Sequence, residues 1–318
     1  LASIYQANQT NYHVGAYISA SMLAGRQCKR KVQWERFQPY YETAQRLFWP
    51  FRGTIVHALL ETQEARIANY GWMQELKLST YMEFPEHPFP VMGPDGFTGE
   101  WDESKPLTIQ INGTTDLYNP FQLVIGDMKS MACGKAAKFI GGKHEDSWAR
   151  QLNLYRWLVT KTPITEAMRQ SWANAGLPAI EGTYLPEPTR VYIQGISMLE
   201  IPQTGSMYQP MRDQQLYQIP EIPLWPLADV EAFVRAEALG WFRTLVLKEP
   251  QPPIEKSEAW MCHSCCFNGE VIEGERCHPK AERAALAGEP VKIKRNKTDV
   301  VSHKPAPQPV AIVPFTLE

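Results

Sequence analysis

The chain has 318 residues, 44% hydrophobic and 21% charged, proportions ordinary for a globular protein with a sizeable buried core. No run approaches the roughly 20 apolar residues that a membrane helix needs, so no membrane partner is expected. A formal net charge of -2 gives no overall pull toward a polyanion, so any contact with nucleic acid must rest on local clusters.

Near the start, Ser3, Gln6, Asn8 and Gln9 interrupt any apolar region, so there is no signal-peptide pattern and a cytoplasmic location is expected. "ISASMLAGRQCKRKVQWERF" predicts a helix over 18–37, opening near Ser19 or Ser21, with Met22, Leu23, Val32 and Trp34 on or near its apolar stripe and Cys28 inside it. Arg26, Lys29, Arg30, Lys31 and Arg36 crowd this helix as a basic cluster. "FRGTIVHALLETQEARIANYGW" predicts a second helix capped by Thr54, in which His57 and Glu61 stand four apart on one face.

From about Ser79 the pattern turns to strands: "STYMEF", then "PLTIQINGTTDLY", then "FQLVIGDMKS". The turn "YNPF" predicts that the last two form an antiparallel hairpin, and "HPFPVMGPDGFTGEWDES" reads as an irregular loop. "HEDSWARQLNLYRWLVTK" is a helix by the spacing of Trp148, Leu152, Tyr155 and Val159, with Gln151 on the same side. A strand "TRVYIQGISML", a proline-bearing loop over 209–226 and a long helix "LADVEAFVRAEALGWFRTLVL" follow. These elements make residues 1–254 a single core domain. Residues 255–283 form a cysteine-rich segment, and 284–318 a flexible tail with Lys292, Lys294, Arg295 and Lys297. The closing "AIVPFTLE" is a candidate peptide for a protein partner.

In "LVIGDMKSM" the side chains alternate faces, so Asp127 and Lys129 emerge on one side of the strand. Hairpin pairing brings Asp116, on the preceding strand, toward the same end. Two carboxylates beside a lysine suit metal-assisted hydrolysis: hard divalent cations take oxygen ligands and leave room for a phosphate oxygen. The lysine can orient or deprotonate a water, or offset charge on the scissile phosphate. An aspartate and a lysine two apart also occur on ordinary surface strands as exposed ion pairs.

The ordered set "GTTD", "IGDMKS" and "QLNLY" resembles the motifs of RecB-type nucleases in the PD-(D/E)XK superfamily, and "RGTIVHALLE" resembles their upstream histidine element. The resemblance implies an α/β restriction-endonuclease-like core, a central mixed sheet flanked by helices. It implies that His57, Asp116 and Asp127 bind a metal with help from the carbonyl of Met128, that Lys129 activates the nucleophile, and that Gln151 and Tyr155 meet the substrate. Tyr155 as a plain core residue is the alternative. An imidazole among oxygen ligands admits manganese as well as magnesium. The activity so implied is a metal-dependent DNA nuclease, an exonuclease acting on single strands or free ends. The alternative is a non-catalytic DNA-binding or assembly subunit that keeps the fold and carries a zinc module.

Cys262, Cys265, Cys266 and Cys277 fall within a short segment, and tetrahedral thiolate sites suit zinc and iron-sulfur clusters alike. AddB-like proteins and CRISPR-associated exonucleases, which "GRQCKRKVQWERF" resembles in its upstream element, use one early and three late cysteines. That likeness implies a [4Fe-4S] cluster on Cys28, Cys262, Cys265 and Cys277, joining the two ends of the chain. The family's last two cysteines are closer together than here, and Cys266 competes for a place. Cys133, just past the charged strand, reads as a small packed residue.

Overall fold

The computed structural model describes residues 17–25, 27–37, 68, 70–93, 96–131, 133–140, 146–197, 204–206, 209, 216–219, 222–251, 271–272 and 275–276. His57, Glu61, Cys262, Cys265, Cys266, Cys277 and the predicted tail lie outside them. The chain divides into two compact units, Leu1–Pro252 and Pro253–Glu318. In the second, β7 (Val271–Ile272) pairs antiparallel with β8 (Glu275–Arg276).

The first unit is built on a mixed sheet flanked by helices. β2 (Met73–Gly93) and β3 (Gly96–Asn119) form a long antiparallel pair, and β4 (Val124–Met131) returns antiparallel to β3. β5 (Arg190–Ser197) runs parallel to β4, β6 (Leu216–Ile219) antiparallel to β5, and the short β1 (Tyr17–Ser19) parallel to β3. The helices are α1 (Ala20–Ala24), α2 (Lys29–Phe37), α3 (Cys133–Ile140), α4 (Asp146–Lys161), α5 (Glu166–Asn174) and α6 (Leu227–Leu245). None of them is long and apolar enough to cross a membrane.

The hydrophobic pattern dictates which faces meet. Along β2, Leu76, Leu78, Met82 and Phe84 are buried, while the alternate Lys77, Ser79, Tyr81 and Glu83 are exposed. Phe84, fully buried, contributes about 2–3 kcal/mol by removal of its ring from water. β4 lies between β3 and β5 and is buried over most of its length, as a strand with paired neighbours on both edges should be. α4 is buried continuously from Leu152 to Val159, so it is a central helix rather than an amphipathic surface one. Its two buried polar residues are satisfied by loop backbone. Asn153 donates to the carbonyls of Ala149 and Pro223 and accepts from the Trp225 amide. Arg156 donates to the carbonyls of Pro188 (3.0 Å) and Trp225 (2.7 Å) and to the Glu187 carboxylate.

Four expectations need correction. The single helix over 18–37 is instead a strand and two helices. Ser19 caps α1 by accepting from the Met22 amide, and Gly25 ends it, its amide bonding to the Ser21 carbonyl. Cys28 therefore precedes α2 rather than lying inside a helix, and its carbonyl accepts from the Val32 amide. The strand expected from Ser79 already begins at Met73. The irregular loop after His87 is strand as well: β2 runs on to Gly93 and β3 starts at Gly96. Prolines are tolerated there because β2 pairs only with β3 among the described residues, and three register shifts between Phe84 and Met92 absorb them. Finally, β6 lies within the stretch expected to be loop over 209–226.

The basic cluster on α2 is engaged inside the molecule. Lys29 pairs with Glu237 at 3.4 Å, Lys31 pairs with Glu35, and the buried Arg30 donates to the Gln251 carbonyl at 2.6 Å. Lys29 and Arg30 dock α2 onto α6 and the chain beyond it, while the Lys31–Glu35 pair lies within α2.

Candidate active site

The turn joining β3 to β4 is fastened by Asn119, fully buried. Its Oδ1 accepts from the amides of Phe121 and Gln122, each at 3.0 Å, and its Nδ2 donates to the Tyr70 carbonyl. From this anchor the pairing runs Asn119↔Val124, Tyr118↔Ile125 and Leu117↔Gly126. One further step along the register sets Asp116 opposite Asp127, and there the regular pairing ends. Asp116 Oδ2 takes the Met128 amide instead, at 2.6 Å.

Gly126 and Asp127 point to opposite faces of β4. A Cβ on Gly126 would lie 2.4 Å from Tyr192 Cζ, so glycine is required for the Tyr192 ring to cross that face. On the other face, Asp127 is 2% exposed and its Oδ2 lies 2.7 Å from Lys129 Nζ. That contact is an ion pair without hydrogen-bond geometry, and the buried Oδ2 has no hydrogen-bond donor among the described residues. Lys129 Nζ donates instead to Gln151 Oε1 on α4, at 3.1 Å. Burying a carboxylate beside an ammonium is a poor way to gain stability, because desolvation offsets the attraction.

A lysine ammonium can only donate, so Gln151 must turn its oxygen to Lys129 and its NH₂ to Tyr155. The Gln151 Nε2 to Tyr155 OH bond is 2.6 Å, and the phenol, as acceptor, keeps its own hydrogen for another partner. Burial pushes the Tyr155 phenol up from its ordinary value, the charge of Asp127 adds to this, and Asp116 and Glu75 act in the same direction. The phenol is therefore neutral across the physiological range. Tyr155 approaches β3 so closely because position 113 is glycine: a Cβ there would meet Leu158 Cδ1 at 2.9 Å and Tyr155 Cε1 at 3.0 Å.

Of the residues singled out in the sequence, the structure gathers Asp116, Asp127, Met128, Lys129, Gln151 and Tyr155. His57 and the late cysteines lie outside the described residues, and Cys28 is half-buried just before α2. Glu75 was missed. It lies between the pairs Gln74↔Leu117 and Leu76↔Thr115, hence on β2 opposite Asp116 of β3. Its φ of 46° puts a non-glycine residue in the left-handed region, a strained conformation that clusters at functional sites. Nothing within its local sequence signals this, since its partner Asp116 is remote along the chain.

Asp116, Asp127 and the Met128 carbonyl supply oxygen donors only, and the buried Asp127 Oδ2 has no hydrogen-bond donor among the described residues; this chemistry fits a hard divalent cation. Among the described residues no three His, Cys, Asp or Glu side chains converge on one point.

No family model matches the chain, and neither does any curated protein. Among solved structures, the protein SSO0001 is similar over 86% of this chain and 94% of its own, with 14% identity and a TM-score of 0.45. A phage-related exonuclease from Haemophilus somnus 129PT is similar over 76% of this chain and 100% of its own, with 12% identity and a TM-score of 0.36. Both likenesses are partial.

Proposed function

We propose that the chain is a metal-dependent DNA nuclease of the PD-(D/E)XK type, an exonuclease acting on single strands or free ends. The observation that carries this is the buried Asp127 carboxylate against Lys129, across the parting strands from Asp116, with the lysine tethered by Gln151. His57, Asp116, Asp127 and the Met128 carbonyl would hold magnesium or manganese. When bound, the ion would polarise a phosphoryl oxygen and acidify a water.

Lys129 has two services to perform in this scheme. It orients the attacking water, and its charge offsets the negative charge that builds on the phosphorus oxygens as the new P–O bond forms and the leaving oxygen departs. Gln151 accepts a hydrogen bond from the ammonium and so restricts the rotation of a long side chain. Tyr155, neutral and held by Gln151, has its hydroxyl hydrogen available to a substrate oxygen.

Lys129→Ala tests the proposal. With end-labelled single-stranded DNA and magnesium or manganese, the variant should lose cleavage by about a hundredfold or more while still binding DNA. Undiminished cleavage would remove Lys129 from the catalytic role, and a parent chain that binds DNA without cutting it would leave the DNA-binding subunit. Cutting of closed circles would replace exonuclease with endonuclease.

A [4Fe-4S] cluster on Cys28, Cys262, Cys265 and Cys277 is proposed as a staple between the chain's ends. Protein purified without oxygen should be brown, with broad visible absorption and bound iron and sulfide. Colourless protein containing zinc would mean the zinc module instead.

A further inference from the structure

β3 serves three partners with two edges. β2 occupies one edge, paired with it from Leu107 through Tyr118. β1 and β4 must therefore share the other: β1 stops at Ser19 opposite Asn112, and pairing to β4 starts at Leu117. Among the described residues, 113–116 face no strand on that edge, and beside them opens a cleft of about 530 Å³. Tyr155, whose hydroxyl accepts from the amide that holds Lys129, lies in its wall.

The lining suits a polyanion. Ser19, Ser79 and Thr114 contribute hydroxyls, Gln110 and Asn112 amides and Lys77 an ammonium, while among the described residues no aspartate or glutamate lines the cleft. Its hydrogen bonds run in one direction. Gln110 Nε2 donates to Ser79 Oγ at 2.9 Å, and Ser79 Oγ donates to Asn112 Oδ1 at 2.8 Å. With its oxygen so occupied, Asn112 keeps its NH₂ as a donor group of the half-buried side chain.

Lys77, Ser79 and Tyr81 alternate on one face of β2, so Tyr81 stands about 13 Å along the strand from Lys77. Tyr81 pairs in register with Gln110, which lines the cleft, and is 69% exposed, a large aromatic side chain one residue pair beyond Ser79 on the same face of β2. A volume of this size is that of a small-ligand pocket and has room for nucleotides of one strand. Stacking on Tyr81 likewise needs a base that is not already paired.

We infer that the cleft seats a single strand of nucleic acid on its way to Lys129, with phosphates along Lys77, Ser79 and Asn112 and an unpaired base stacked on Tyr81. This rests on the nuclease proposal above, and it adds the path and strandedness of the substrate. Fluorescence anisotropy of the full chain, with a labelled oligothymidylate in EDTA so that nothing is cut, separates the two. Tyr81→Ala should weaken single-strand binding about tenfold and Tyr81→Phe should restore it, since only the ring is needed. Ser79→Asp, placing a carboxylate among the donors, should weaken it as much. The residual affinity for blunt duplex should be unchanged in all three. Melting curves confirm that the variants fold, which the exposure of both positions leads one to expect. If Tyr81→Ala and Ser79→Asp bind within about twofold of the parent while Lys129→Ala abolishes cleavage, the cleft assignment is wrong and the nuclease stands. If the parent cuts no nucleic acid yet Tyr81→Ala loses single-strand affinity, the cleft stands and the nuclease falls.

Discussion

Glu75 holds a backbone conformation that costs an L-residue about 1–2 kcal/mol, in a strand that could have placed any polar residue there. Strain of that size persists where the side chain's position is needed. Glu75→Gly removes the strain together with the carboxylate. The melting temperature should hold or rise by a few degrees, while cleavage falls; a variant that is less stable and fully active would show that Glu75 is structural. Asp116, Asp127 and Lys129 were legible in the sequence because their juxtaposition is local, whereas the role of Gln151 followed only from the family resemblance. A period of two fixes the faces of β4, and a short turn fixes which residue of β3 comes opposite. Glu75 was not legible, because its relation to Asp116 exists only once β2 and β3 pair in one register.

At the scale of elements, α4 holds the site together. Its apolar spacing was plain in the sequence, but the role of Arg156 was not, since its acceptors are backbone carbonyls on two distant loops, before β5 and before α6. Every composition-based argument would have placed that arginine at the surface; it is 8% exposed. Arg156→Met keeps the length and apolar stem and removes the donors, leaving the carbonyls of Pro188 and Trp225 without them. Unfolding in urea should show a loss of about 2–4 kcal/mol. The outer half of the β2–β3 pair misled for the opposite reason, composition suggesting loop where pairing decides. Proline and glycine forbid a central strand but not an edge strand whose second edge has no partner. Gly25 misled in the other direction: the helical pattern continues across it, but the chain does not.

For the whole molecule, two buried phenols set the alkaline limit. Burial raises both Tyr118, whose hydroxyl donates to the Pro186 carbonyl, and Tyr155 above their ordinary value near 10. A folded-state value above the unfolded one means full stability below about pH 10 and loss as pH rises beyond it, because the unfolded chain gives up these protons first. Denaturation followed through tyrosinate absorbance should therefore be cooperative in that range, with part of the absorbance appearing only on unfolding. Tyr118→Phe should lessen the slope of stability against pH there, at the cost of one hydrogen bond. β2 carries a further consequence. Its outward edge has no neighbour among the described residues, and such an edge invites a strand from another molecule. Pro85, Pro88 and Pro90 cannot donate a backbone hydrogen bond, and the shifts around them bend the ladder out of register. Residues that look like flaws in a strand thus guard the chain against self-association into fibrils.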